Sequence, residues 1–170
     1  MQRNEYVCQR RNERSGDPVS YPDGLQVCAL ATQPQEALAQ LMLEAYRGTV
    51  DDAGETLADA LREESSFWAG TSGMTPWPDH SLGLMGPQDT LVAACLVGEW
   101  QSRRVPLIAY VLTHPNWQRQ GLASQLLAQV LYQLQQCQQW PVYAVITAGN
   151  RPSEALMVRA GFERTSALEC

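Results

Sequence analysis

An apolar run from Val105 to Thr113 passes through a short turn into an amphipathic run from Leu122 to Cys137, and a second apolar run follows at Val142 to Thr147. That succession constrains the fold more than any other part of the chain. Two strands separated by a long helix cannot form a hairpin, so the strands are expected to lie parallel, joined by a right-handed crossover. The helical reading is carried by Ala123, Leu126, Leu127, Val130, Leu131 and Leu134, which fall on one stripe, while the opposite face is rich in Gln. Gly121 stands at the strand-to-helix join. A glycine there lets backbone amides approach a ligand closely, and the N–H groups of the helix N-terminus point at the same spot. Such a turn suits a pyrophosphate.

The remaining segments are read around this unit. Residues 1–24 are polar, mix Arg with Asp and Glu, and include Pro18, Pro22 and Gly24. They are expected to form a mobile arm, or at most an edge strand, ahead of one domain over residues 25–170. Leu25 to Ala31 reads as a first strand, and Thr32 with Gln35 three residues on reads as a helix start, with Leu38, Leu41, Met42 and Ala45 on one face. Asp52 with Glu55 three residues on reads as the capping box of a second helix running to about Glu64. Residues 69–80 read as a loop, followed by strands over 81–86 and 90–98. Asn150 is expected to start a short helix that Gly161 ends, with a last strand from Phe162 to Leu168.

Composition narrows the class of function. At 170 residues with 45% hydrophobic content, the chain suits one globular domain with a core. No apolar stretch approaches a membrane span, and the N-terminus lacks the apolar region of a signal peptide. The five cysteines include no C-x-x-C and no paired metal spacing, so reduced thiols in a cytoplasmic protein, with no metal site, are expected. All twelve basic residues are Arg and the net charge is −6. Scattered basic residues on an acidic chain argue against nucleic acid as a partner. Oligomeric state is not written in the sequence, and a homodimer stays open.

Three features occur in a fixed order: the strand ending Thr113-His114-Pro115 with the turn Gln118-x-x-Gly121-x-Ala123; a buried strand after one long helix; and Asn150, then Ala155-Leu156, then Gly161-Phe162. In this order they resemble the GNAT acetyltransferase superfamily, whose signature is Arg/Gln-x-x-Gly-x-Gly/Ala. The resemblance covers about residues 25–168 and implies an α/β fold, a mixed central sheet flanked by helices around a β-α-β cofactor-binding core. It also implies an acetyl-CoA-dependent N-acetyltransferase acting on a small-molecule or peptide amine. The pantetheine arm of acetyl-CoA would lie between splayed central strands and pair with the backbone around Leu112 and Thr113. The pyrophosphate would rest on amides from Gln118 through Arg119, Gln120, Gly121, Leu122 and Ala123 to Ser124, with Arg119 adding charge. Asn150 would contact the cofactor or only cap its helix.

Members of the superfamily often carry Leu-Tyr-x-x-x-Gly-Phe, the Tyr protonating the departing sulfur. Here Met157 follows Leu156. Tyr110, Tyr143 and Tyr132 are the substitutes the chain offers, with Tyr110 on the central strand. For a base, Glu99 stands near the end of the preceding strand. Asp51, Asp52 and Glu55 lie in a loop that borders the acceptor in the superfamily. The vacant Tyr position keeps a second reading open, an acyl-CoA-binding module without transfer chemistry. A nucleotide-binding protein of another α/β kind is disfavoured, because the chain has no G-x-G-x-x-G and no Lys for a Walker motif.

Overall fold

Residues 105–147 form the expected crossover, and the rest of the sheet is laid down on either side of it. In a computed structural model, which describes residues 2–9 and 20–165, strand β6 (Val105–Thr113) runs parallel to β7 (Val142–Thr147), and helix α3 (Leu122–Gln136) joins them. The other strands are β1 (Arg3–Cys8), β2 (Gln26–Ala29), β3 (Met74–Pro76), β4 (Leu82–Met85), β5 (Leu91–Trp100) and β8 (Glu163–Arg164). Their order is β2-β4-β5-β6-β7-β1-β8, with β3 also paired to β5, and every pairing except β6–β7 is antiparallel. The sheet is therefore mixed and flanked by helices, as the sequence predicts.

Each face of the sheet carries its own core. On one face Leu126, Leu127, Val130, Leu131 and Leu134 of α3 are buried against Ala93, Cys95 and Val97 of β5 and Val142 and Ala144 of β7. Helix α4 (Arg151–Arg159) adds Leu156 and Met157 to that cluster. On the other face, α1 (Gln35–Tyr46) and α2 (Leu57–Trp68) bring Leu38, Leu41, Met42 and Phe67 onto Ala94, Leu96, Leu107 and Leu112. Among the described residues no helix is long and apolar enough to cross a membrane.

Four expectations about local structure are corrected. Residues 3–8, expected in an arm or an edge strand, form β1 in the interior of the sheet between β7 and β8. The alternation of Asn4, Tyr6 and Cys8 is the cause: all three are buried, and Asn4 is satisfied by Glu154 and Arg164. Residues 1 and 10–19 of the expected arm lie outside the described residues, as do residues 166–168 of the expected last strand. Tyr21, near the end of the arm, packs on the core and donates its hydroxyl to Gln129 Oε1 at 2.6 Å.

Helix α1 begins after Pro34, because Thr32 turns its hydroxyl back to Ala29 O at 2.8 Å and belongs to a short 3₁₀ turn. The capping box of α2 is Thr56 with Asp59, while Asp52 binds the Gly48 and Gly54 amides and Glu55 binds the Ala53 amide. Those bonds hold the Asp52 and Asp59 carboxyls below the usual carboxylate range. The stretch 69–80 contains β3, which runs so close to β5 that a Cβ on Gly98 would lie 2.6 Å from Thr75 O.

Glu64 is the buried charge of α2, only 3% exposed. Burial pushes its carboxyl up, and bonds from Ser65 and the Trp68 side chain oppose that shift in part. A carboxyl raised in the fold favours the protonated form, so its contribution is full below the unfolded pKa near 4.3 and is lost as pH rises through the folded value. Glu64→Gln is accordingly expected to raise the melting temperature at pH 8 by about 2–4 °C, roughly 1 kcal/mol for a chain of this size. The gain should vanish near pH 4. Melting curves at both pH values check this.

Candidate active site

The parallel pairing of β6 and β7 is brief. Only Leu107↔Tyr143 and Ile108↔Ala144 are matched, whereas β6 continues to pair with β5 as far as Ala93↔Thr113. Beyond Ile108 the two central strands part. The cause is visible in the β5–β6 ladder: Leu96 faces Tyr110 but Val97 faces Ile108, so Ala109 is a bulged residue. The bulge puts Ala109 and Tyr110 on the same face, beside Phe67 of α2.

The slot between the strands exposes particular backbone groups. His114 N binds Val92 O at 2.9 Å, so alternation turns the N–H and C=O of Leu112 toward β5 and those of Val111 and Thr113 toward the slot. Of the two expected backbone contacts, Thr113 thus faces the gap, and Leu112 is spent on the ladder. The Thr113 hydroxyl is buried with no partner among the described residues, a polar atom ready for an occupant of the slot.

At the C-terminal end of β6 the chain turns into α3. Gly121 caps that helix with φ +80, and the first helical bond runs from Gln125 N to Gly121 O at 3.0 Å. The amides of Leu122, Ala123 and Ser124 therefore have no helical acceptor. Arg119, also left-handed at φ 59, and Gln120 are exposed on the same turn. Gln118 departs from expectation, because its amide binds Pro115 O at 3.4 Å and its side chain reaches Thr113 O at 3.5 Å. A Cβ on Gly121 would meet nothing within 4 Å, so the space beside these donors is open. Donors, helix dipole and room fit a pyrophosphate.

A cleft of about 580 Å³ opens between the parted strands and under the α1–α2 loop. Its polar lining includes Arg3 of β1, Tyr46 of α1, Asp51 and Glu55 of the loop, Glu63 of α2 and Tyr110. The Tyr110 hydroxyl donates to Glu63 Oε1 at 2.7 Å. Burial, reinforced by the Glu63 charge, pushes the Tyr110 phenol well up. Tyr46 shifts the same way, through burial and then through Tyr110, Glu63 and Asp51. Its hydroxyl has no hydrogen bond to any described residue. Both phenols stay neutral and able to donate at ordinary pH.

Asn150 joins this cleft to the loop. Its Oδ1 caps α4 by accepting from Ser153 N at 3.2 Å, and its Nδ2 donates to Asp51 Oδ2 at 2.8 Å. Met157, 4% exposed, lines the cleft where a hydroxyl is expected from the superfamily pattern. Glu99 does not join these groups. It lies on β5 between Gly98 and Trp100 and shares the face of Cys95 and Val97, the α3 side, opposite to Tyr110. His114 is also occupied elsewhere, with Nδ1 accepting from Asn116 N at 3.1 Å and Nε2 2.9 Å from Glu44. Trp77 and Trp68 pack on the two cores. Among the described residues no group of acids, His and Cys is placed to hold a metal.

Arg3, Tyr46 and Glu63 are cleft residues that the sequence reading passed over. A signal existed for Glu63, which stands one turn before the buried Phe67 on α2 and so borders its inward stripe. For Arg3 and Tyr46 the sequence carries none.

Comparison with curated proteins gives no match. The FR47-like protein family matches residues 82–169. Among solved structures, a GCN5-related N-acetyltransferase from Sphaerobacter thermophilus aligns with TM-score 0.68 at 17% identity, over 96% of this chain and 48% of that one. The yncA protein of Salmonella typhimurium, solved with its cofactor acetyl-CoA, aligns with TM-score 0.65 at 19% identity over 85% of this chain and 82% of that one. A tandem GNAT protein from the clavulanic acid biosynthesis pathway aligns with TM-score 0.67 at 16% identity, over 95% of this chain and 50% of that one. The chain thus spans about half the length of the first and third of these.

Proposed function

The chain belongs to the FR47-like protein family and has the GNAT fold, and from that premise we propose that it moves an acetyl group directly from acetyl-CoA to a primary amine. One observation carries the reading. The strands β6 and β7 part beyond Ile108 beside a helix N-terminus whose first amides lack acceptors. A slot for an extended arm and a cradle for its pyrophosphate are what an acyl-CoA requires together. Thr113, Arg119, Gln120, Gly121, Leu122, Ala123 and Ser124 are the residues that would hold it, with Val111 supplying backbone groups to the arm. Bound there, acetyl-CoA supplies an activated thioester.

The chain's own groups then have distinct tasks. Glu63 takes the proton of the incoming ammonium, whose pKa near 10 leaves little free amine at neutral pH. Tyr110 holds one oxygen of that carboxylate and leaves the other for the amine. As the C–N bond forms and the C–S bond breaks, the departing thiolate is a tolerable anion, since a thiol ionises near 8.5. The Tyr46 hydroxyl is the neutral donor the cleft offers it.

Calorimetric titration tests the donor site. Acetyl-CoA and desulfo-CoA are expected to bind in the range of roughly 1 µM to 1 mM, with ATP failing to bind. Absence of binding at millimolar acetyl-CoA overturns the proposal. The buried Met157 favours a second reading, an acyl-CoA-binding module without chemistry. Thiol release with any amine excludes it.

A further inference from the structure

We infer that the acceptor is a free amino acid, held at both ends, its ammonium by Glu63 and its carboxylate by Arg3. The inference rests on the acetyltransferase reading above and specifies the substrate of the same cleft. It starts from the uneven way in which charge is paired there. Asp51, Glu55 and Glu63 each accept from a neutral donor: Asn150 Nδ2 at 2.8 Å, Ala53 N at 2.9 Å and the Tyr110 hydroxyl at 2.7 Å. Their negative charge is not neutralised by a cation of the cleft.

Arg3 lines the same space and forms no ion pair or side-chain hydrogen bond with any described residue. It is on β1 opposite Thr147, and strand alternation sets it on the face away from Tyr6 and Cys8, which is the face of Tyr110. Its positive charge reaches both cleft phenols, drawing Tyr46 and Tyr110 down, though less than burial and the nearby carboxylates push them up.

Arg3 and Glu63 are both exposed, and a cation and carboxylates that share one cleft without pairing suit a ligand carrying both signs. A diamine offers a second positive charge, which Arg3 repels. An internal residue of a peptide chain offers no carboxylate beside its amine. The cofactor's own phosphates do not answer Arg3, because no residue of the turn 118–124 lines this cleft. An amino acid meets both demands, and a guanidinium grips a carboxylate through charge-assisted, bidentate bonds.

The test compares a panel of amino acids with their carboxamides and with putrescine, using acetyl-CoA and thiol-release detection. The free acid of the preferred side chain is expected to exceed its carboxamide at least tenfold in kcat/KM. That ratio should fall toward one in Arg3→Gln, chiefly through KM, and be largely kept in Arg3→Lys. Melting curves verify that both variants fold, and the wild-type ratio is informative by itself. A carboxamide or putrescine acetylated as well as the free acids overturns the inference and leaves the acetyltransferase reading intact. Acetyl-CoA binding without turnover on any amine overturns both.

Discussion

Gly121→Val is expected to weaken acetyl-CoA binding ten- to a hundredfold while the domain stays folded. Gly121 has φ +80, a region in which an L-residue is disfavoured by roughly 1–2 kcal/mol, and β-branching adds to the strain. Relief of that strain would rotate the peptide and turn the amides of Leu122 and Ala123 away from a shared anion. The new side chain would also stand in the open space beside those amides, since its Cβ meets no protein atom within 4 Å. The absence of any clash means that the core is not the target. Every 1.4 kcal/mol lost to misdirected donors and excluded phosphate is tenfold in affinity. Gly121→Ala should lie between Val and wild type, and Arg119→Gln should remove a charge without moving the turn. Calorimetry with acetyl-CoA, set beside melting curves, separates these effects. Affinity for acetyl-CoA within twofold of wild type in Gly121→Val would falsify the phosphate-cradle assignment.

Local pattern was sufficient wherever one face of one element decided the outcome. The stripe of α3 and the apolar run of β6 could be read because burial repeats at the helical and strand periods. Asn150 as the cap of α4 was readable for the same kind of reason. The errors arose where the answer lay elsewhere in space. β1 looks polar because its buried Asn4 is satisfied by Glu154 and Arg164, residues more than a hundred positions away. Asp52 and Thr56 both carry an acidic residue three positions on, and spacing alone does not rank them. The decision is made by Gly54, whose φ of +81 stops a helix from starting at Asp52. Glu99 was misplaced for a third reason. The bulge at Ala109 shifts the alternation of β6 against β5. Glu99 faces Pro106, and counting in twos along β6 from Pro106 puts Tyr110 on the face of Glu99, whereas Tyr110 pairs with Leu96 on the other face. The cleft's acid is instead Glu63 of α2, which meets the Tyr110 hydroxyl from the helix side.

That acid defines the second large effect. Glu63→Gln is expected to lower kcat by about a hundred- to a thousandfold, within the range that proton-transfer groups supply, with acetyl-CoA affinity unchanged. Gln keeps the shape and can still meet the Tyr110 hydroxyl 2.7 Å away, so what is removed is the charge that receives the ammonium proton. Tyr110→Phe should cost less, about tenfold, because it frees the carboxylate to rotate without discharging it. The double variant should be little worse than Glu63→Gln alone, as groups acting as one unit are not additive. Burial fixes the sign of the pH dependence. Both phenols are raised, so they remain protonated up to at least pH 10 or so, and the stability they lend is lost only as pH climbs through their folded values. The rate should therefore climb with pH as the amine loses its proton, with no decline before about pH 10. Met157→Tyr adds the contrast, since it restores a hydroxyl on α4 without touching Glu63. It should leave the rate unchanged or raise it, and it should not rescue Glu63→Gln. A Glu63→Gln enzyme within threefold of wild type would move the base to Asp51 or Glu55, the other carboxylates that line the cleft.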